Sequence, residues 1–264
     1  MYHAPDYFEK VVAMMDTYPE AGAGQGLLLK WDFLTNTRTD IIDTMGLKVM
    51  RNRRVVDWRT GERLPSPDFA SAQSPSPLGR GEPARAGGSE GNVIEVFGVS
   101  GALPIYRRKA IEGVSFEEQM FDEDFFSYKE DVDLAFRLRS AGWKAYATAE
   151  ARAWHDRTAA GPREMSDMAA MENRKGRAAY VKYYSYRNHL IVLLKNEHRD
   201  NLAKDWPAIF WYEFKKFVYL LFTDWATLKG LADVWRLRSR TMVKRRHIMA
   251  NYKVAPKDMR KWFI

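Results

Sequence analysis

The sequence predicts an α/β fold, a mixed sheet with flanking helices that leads into an α-helical C-terminal extension. Three observations predict it. Short apolar runs bounded by turn residues recur at 26–29, 93–97 and 143–148, as strands do. Apolar residues at helical spacing precede and interrupt them, at 5–17 and 130–140. From about Met165 the pattern is helical almost to the end, which sets a sheet-bearing part at 1–160 apart from an extension at 161–264.

In chain order, Pro5 and Asp6 start the first helix, with proline in the first turn and an acid near the positive end of the dipole. Phe8, Val11, Val12 and Met15 form its apolar stripe, and Tyr18-Pro19 ends it. Gly22-x-Gly24-x-Gly26 has the wrong spacing for a dinucleotide loop and precedes a strand, so it reads as a turn. Gly26 to Leu29 is a short buried strand, and Leu47 to Val56 a basic, exposed one. Fourteen of the 26 residues in 66–91 are Ser, Pro or Gly, too little apolar surface to offset chain entropy, so a disordered insertion is expected. Val93 to Phe97 is a strand, followed by a glycine-punctuated turn and short strand from Gly98 to Tyr106. Glu130 to Ser140 is a helix closed by Gly142, and Trp143 to Thr148 is a strand. Pro207 marks a helix start in the extension.

With 46% hydrophobic and 14% aromatic residues, the 264-residue chain can bury a substantial core. The absence of cysteine excludes disulfides, thiolate metal sites and a cysteine nucleophile. The net charge of +8 is uneven: Thr227 to Ile264 holds eleven Lys/Arg against Asp233 and Asp258, and the rest is near neutral. A basic tail of this kind suits an anionic surface, or is simply a solvated helical face. Met1 to Lys10 lacks a secretory apolar core. Trp206 to Phe222 is broken by Glu213, Lys215 and Lys216, against the ~20 apolar residues of a membrane span. A cytoplasmic protein, associated peripherally with the inner membrane surface, is therefore expected. The aromatic, amphipathic, basic helices of the extension resemble a surface anchor, although such faces also pack on their own domain.

The run from Phe121 to Arg137 holds six carboxylates among Phe121, Phe125, Phe126 and Tyr128. Leu134 and Leu138 supply a buried stripe, which puts Glu130 and Asp131 in the first turn, where the dipole favours the ionised form that a base needs. Capping explains acids at a helix start equally well. It does not explain why aromatic residues bracket them.

Three blocks carry a resemblance. The first is Phe97-Gly98-Val99-Ser100-Gly101-Ala102-x-x-x-Tyr106-Arg107-Arg108. The second is the acidic run itself, continued through Arg137 to Gly142-Trp143-Lys144. The third is Ala153-Trp154-His155 with Tyr186-Arg187-Asn188 and Lys195-Asn196. Together they resemble family 2 glycosyltransferases, in particular the bacterial rhamnosyltransferase-like branch, and Pro5-Asp6-Tyr7-Phe8 extends the likeness upstream. The resemblance implies a partial GT-A-like, Rossmann-like sheet. It also implies inverting transfer of a sugar from a nucleotide-sugar donor to a saccharide or lipid-linked acceptor, in cell-surface polysaccharide synthesis. Asp131 would be the general base and Glu130 its orienting or acceptor-binding neighbour. Gly98, Ser100 and Gly101 would form a close-approach turn beside the sugars, and Arg107, Asp133 and Trp154 are further substrate-binding candidates from the matching blocks. His155 would help hold a divalent metal, Mg²⁺ or Mn²⁺, although a lone histidine is more often not a ligand.

The family's aspartate-x-aspartate metal motif, which should precede Pro5, is not in this sequence. Asp32, Asp40 and Asp43 are too dispersed to replace it, so residues 1–264 alone are expected to lack transferase activity. The alternative is a non-catalytic module that binds a membrane surface or a partner. Nucleic acid is not an expected partner, because the basic residues lie on hydrophobic helices with no reader motif.

Overall fold

A computed structural model describes residues 1–64, 92–155 and 172–264 of the chain. The expected insertion at 66–91 therefore lies outside the described residues. The described part is mixed α/β. Its strands are β1 (Tyr2–His3), β2 (Ala21–Asp32), β3 (Thr37–Thr44), β4 (Leu47–Val49), β5 (Val55–Asp57), β6 (Val93–Val96), β7 (Ile105–Tyr106) and β8 (Lys144–His155). Its helices are α1 (Tyr7–Thr17), α2 (Arg108–Glu112), α3 (Glu130–Ser140), α4 (Ala179–Asn196), α5 (Arg199–Thr223), α6 (Trp225–Leu228), α7 (Gly230–Ala250) and α8 (Pro256–Arg260).

The sheet is built on β2 and β8, which run parallel side by side. The order β1-β8-β2-β3 is completed by β6 on β8 and β7 on β2, and all of these other pairings are antiparallel. Ala21 to Leu29 is buried at every position, the pattern of a strand covered on both faces. The glycines expected to turn lie inside this strand. A Cβ on Gly24 would come within 2.8 Å of the Met15 side chain, and one on Gly26 within 2.5 Å of the Tyr7 ring. The glycines let α1 settle onto the strand, a packing need that their spacing does not reveal.

Other differences have equally local causes. The stripe of α1 is Tyr7, Val11, Met14 and Met15, while Phe8 and Val12 are 44% exposed. Leu47 to Val56 is a hairpin of β4 and β5, and Leu47, Val49 and Arg53 are buried. Arg53 accounts for that: its guanidinium meets Glu197 and Asp205, so a basic stretch goes inward because acids wait for it. Pro207 sits inside α5, which starts eight residues earlier where the His198 ring accepts the Asp200 N–H.

α3 matches its expected span, and Gly142 follows it at φ +91°, the left-handed turn that suits glycine. Leu134 and Leu138 are buried as expected. One cluster joins Phe97, Phe125, Val132 and Phe136 to Ile191 and Val192 of α4 and to Met259 and Phe263. The helical extension thus shares a core with the sheet-bearing part. No helix among the described residues is long and apolar enough to cross a membrane.

Candidate active site

Among the described residues, the loop before α3 gathers three of the non-glycine residues with positive φ. Phe126, Tyr128 and Lys129 all have φ between +60° and +73°, a region that costs residues other than glycine about 1 kcal/mol or more each. α4 holds it there. The Asn188 amide donates to the carbonyls of Phe125, Ser127 and Tyr128 at 2.9, 2.7 and 2.7 Å. The Arg187 guanidinium donates to Asp124 and Phe125 carbonyls. The Tyr186-Arg187-Asn188 block therefore acts as a clamp on the loop that delivers Glu130 and Asp131.

Below the loop, a buried ionic lattice fixes the same segment. Lys195 bridges Asp122 and Asp133 at 2.5 and 2.8 Å, and Lys244 reaches Asp122 and Asp124. Arg137 closes on Asp133 at 2.9 Å, and the Asn196 amide donates to the other Asp133 oxygen. Burial opposes the ionisation of Asp122, but Lys195 and Lys244 outweigh it and hold the carboxyl down at about 2.

Asp131 stands outside this lattice. Its Oδ2 accepts the Gly101 N–H at 2.9 Å and its Oδ1 the Val132 N–H at 2.8 Å. The loop carrying Gly101 is itself pinned. The buried Gln25 side chain accepts the Ser100 N–H, and the Tyr7 hydroxyl, pushed up to about 12 by burial, donates to the Leu103 carbonyl. Glu130 is raised above the usual carboxylate range, first by burial and then by the charge of Asp131, and its Oε2 is buried without a partner. Burial and then the Asp131 charge likewise raise Tyr106, whose hydroxyl is also buried and unpartnered.

Asp131, Glu130, Gly101 and His155 line one cavity of about 250 Å³, together with Tyr128, Lys129 and residues of β5. Four of the nine residues chosen from sequence therefore meet. The other five serve the scaffold. A Cβ on Gly98 would lie 2.3 Å from that of Ala135, so the close approach is to α3 and not to a sugar. Ser100 is fully buried behind Gln25. Arg107 donates to the carbonyls of Ala21 and Met15, tying α1 to β2. Asp133 is buried in the lattice. The Trp154 indole donates to the Thr39 carbonyl, and Arg38 lies over its ring.

Sequence reasoning passed over Asp43. Strand pairing places it on β3, fully buried, with Oδ2 3.4 Å from His155 Nδ1 and Oδ1 unpartnered. A carboxylate behind one ring nitrogen is how proteins orient a ligating histidine, and it leaves Nε2 as the free nitrogen. No signal in the sequence links positions 43 and 155; only the sheet does. Among the described residues, no group of three or more His, Asp or Glu side chains could hold a metal ion. Asp43 and His155 are the two donors that meet at the cavity, and they form no dedicated metal cage. No protein-family model matches the chain, and no curated protein matches it in sequence.

Proposed function

We propose that the chain forms the acceptor-binding and catalytic part of an inverting glycosyltransferase that draws on a nucleotide-sugar donor. The observation that carries this reading is the meeting of Asp131, Glu130, Gly101 and His155 around one cavity. In the proposed reaction an acceptor hydroxyl lies against Asp131, which takes its proton as the oxygen attacks the anomeric carbon. The bond from that carbon to the donor's phosphate oxygen breaks, the nucleoside diphosphate leaves with the electron pair, and configuration inverts in one displacement. Glu130, with a buried oxygen lacking a partner, receives a second acceptor hydroxyl, because an orphaned buried acceptor is costly until something fills it. His155, oriented by Asp43, faces the donor's charged end.

The partner surface belongs to the same proposal. Trp206, Phe210, Trp211, Phe214, Phe217 and Leu221 recur at helical spacing along α5, and each is at least 37% exposed. An aromatic face on a helix that also carries Lys204 and Lys215 suits an anionic lipid surface. The basic tail contributes less than its count suggests, because Lys244, Arg245 and Arg260 are spent on internal partners.

Saturation-transfer NMR of the purified chain with a panel of mono- and oligosaccharides tests the reading. Saccharide protons should receive saturation from the wild type and lose it in Gly101→Val, whose added side chain meets Asp131 from 3.3 Å. A chain that contacts no saccharide contradicts the proposal.

A further inference from the structure

The rim of the Asp131 cavity carries four aromatic rings that the proposed chemistry leaves unused. Tyr128, two residues before Glu130, lines the cavity, and its ring lies 6.3 Å from that of Tyr180. One turn further along α4, the Tyr184 ring meets that of Phe126 at 5.1 Å. Tyr180, Tyr184 and Asn188 recur at every fourth residue of α4, so the face that clamps the loop carbonyls also meets the loop's rings. The rings form a strip of aromatic surface that starts at the cavity wall beside Glu130 and leads away from it. Two of them are open to solvent, Phe126 at 80% and Tyr180 at 58% exposure. A single exposed ring needs no explanation. Phe126 is a different case, because hydrogen bonds from Arg187 and Asn188 to the carbonyls on either side of it hold its backbone at φ +60°. A conformation that residues other than glycine disfavour persists only where its surroundings impose it, and here it carries a large apolar side chain exposed to water.

The neighbouring groups say what would cover these rings. A pyranose offers C–H groups on its faces and hydroxyls around its edge, so it is matched by aromatic faces set beside a few hydrogen-bond acceptors. The strip has that combination, because it adjoins Glu130 and Asp131, and Glu130 Oε2 is buried without a partner. A wholly apolar ligand would leave those carboxylates desolvated and without a donor. We propose that the strip is a second sugar subsite: the acceptor is an oligosaccharide whose terminal residue meets Asp131 and Glu130 while the next residue lies against Phe126 and Tyr180. The inference rests on the transferase reading for the terminal residue and on the exposed rings alone for the next.

Saturation-transfer NMR titrations of the purified chain with the mono-, di- and trisaccharides of glucose, galactose, mannose and rhamnose test the subsite. In at least one series the disaccharide should bind more tightly than the monosaccharide, with saturation reaching both of its residues. Phe126→Ala and Tyr180→Ala should each weaken the disaccharide by about two- to tenfold, the effect of one aromatic contact, and leave the monosaccharide unchanged. Phe126→Tyr, which keeps a ring, should bind as the wild type does. Both positions are exposed, so the variants keep the fold, and an unchanged thermal midpoint checks this. Monosaccharide contact that Gly101→Val removes, with no gain from a second residue or no response to Phe126→Ala and Tyr180→Ala, would overturn the subsite and leave the transferase reading standing. Disaccharide contact that depends on Phe126 and Tyr180 but ignores Gly101→Val would keep the strip as a saccharide surface and remove the transferase reading. Absence of contact with every saccharide would remove both. A nucleoside diphosphate whose base protons take up saturation, and lose it in Phe126→Ala, would give the rings to a nucleobase and overturn the assignment.

Discussion

The stretch from Phe121 to Arg137 sends five of its six carboxylates into two opposite environments. Asp122, Asp124 and Asp133 go down into a lattice with Lys195, Lys244 and Arg137, where every charge has a partner. Glu130 and Asp131 go up to a cavity wall, held by backbone N–H groups or by nothing. The lower set converts charge into rigidity, and the upper set keeps its chemistry available because the lower set holds the loop still. Acids a few residues apart on one chain thus have different uses, decided by whether a cation on α4 or α7 reaches them.

If the division is real, the two sets must fail in different ways. The largest difference should come from Asp131→Asn. Wherever transfer is measured, removing the base should lower kcat by about 10²- to 10⁴-fold with the thermal midpoint unchanged. Lys195→Met should do the opposite, costing about 3–5 kcal/mol of stability in urea unfolding by removing the cation that bridges two buried carboxylates, Asp122 and Asp133. Asn188→Ala falls between the two. It strips a donor from three carbonyls of the strained loop, so about 1–3 kcal/mol should be lost together with saccharide contact at Asp131. The pH dependence is the finest probe. Asp122 titrates lower folded than unfolded, so its pairing stabilises fully above about 4, and that contribution should fade as pH falls from 4 towards 2. Asp122→Asn should flatten the unfolding curve over that window.

Much of the segment around α3 was legible in the sequence. α3, its buried Leu134 and Leu138, its Gly142 terminator and the placement of Glu130 and Asp131 in the first turn follow from periodicity and capping, which are local. The division of the acids was not legible, because Lys195 and Lys244 are 62 and 111 residues beyond Asp133 in sequence and meet it or its neighbours only through helix packing. Gly98 illustrates the same limit. Its need for a small residue was visible, but whether the neighbour was a sugar or Ala135 depended on where α3 lies. Asp43 was invisible as a partner of His155 because two intervening strand pairings bring them together. The glycines of β2 were misread because a strand that packs against a helix and a turn use glycine for different reasons with the same letter.

The claim beneath all of this is that Asp131 faces a bound acceptor and works as a base, while its neighbours in the run hold it there. Following the Asp131 carboxyl carbon by ¹³C NMR while a saccharide is titrated tests it most directly. The account predicts that the Asp131 resonance moves on saturation and that Asp122 and Asp133 stay fixed. An Asp131 signal that ignores every saccharide, or that moves only with the lattice aspartates, would contradict it.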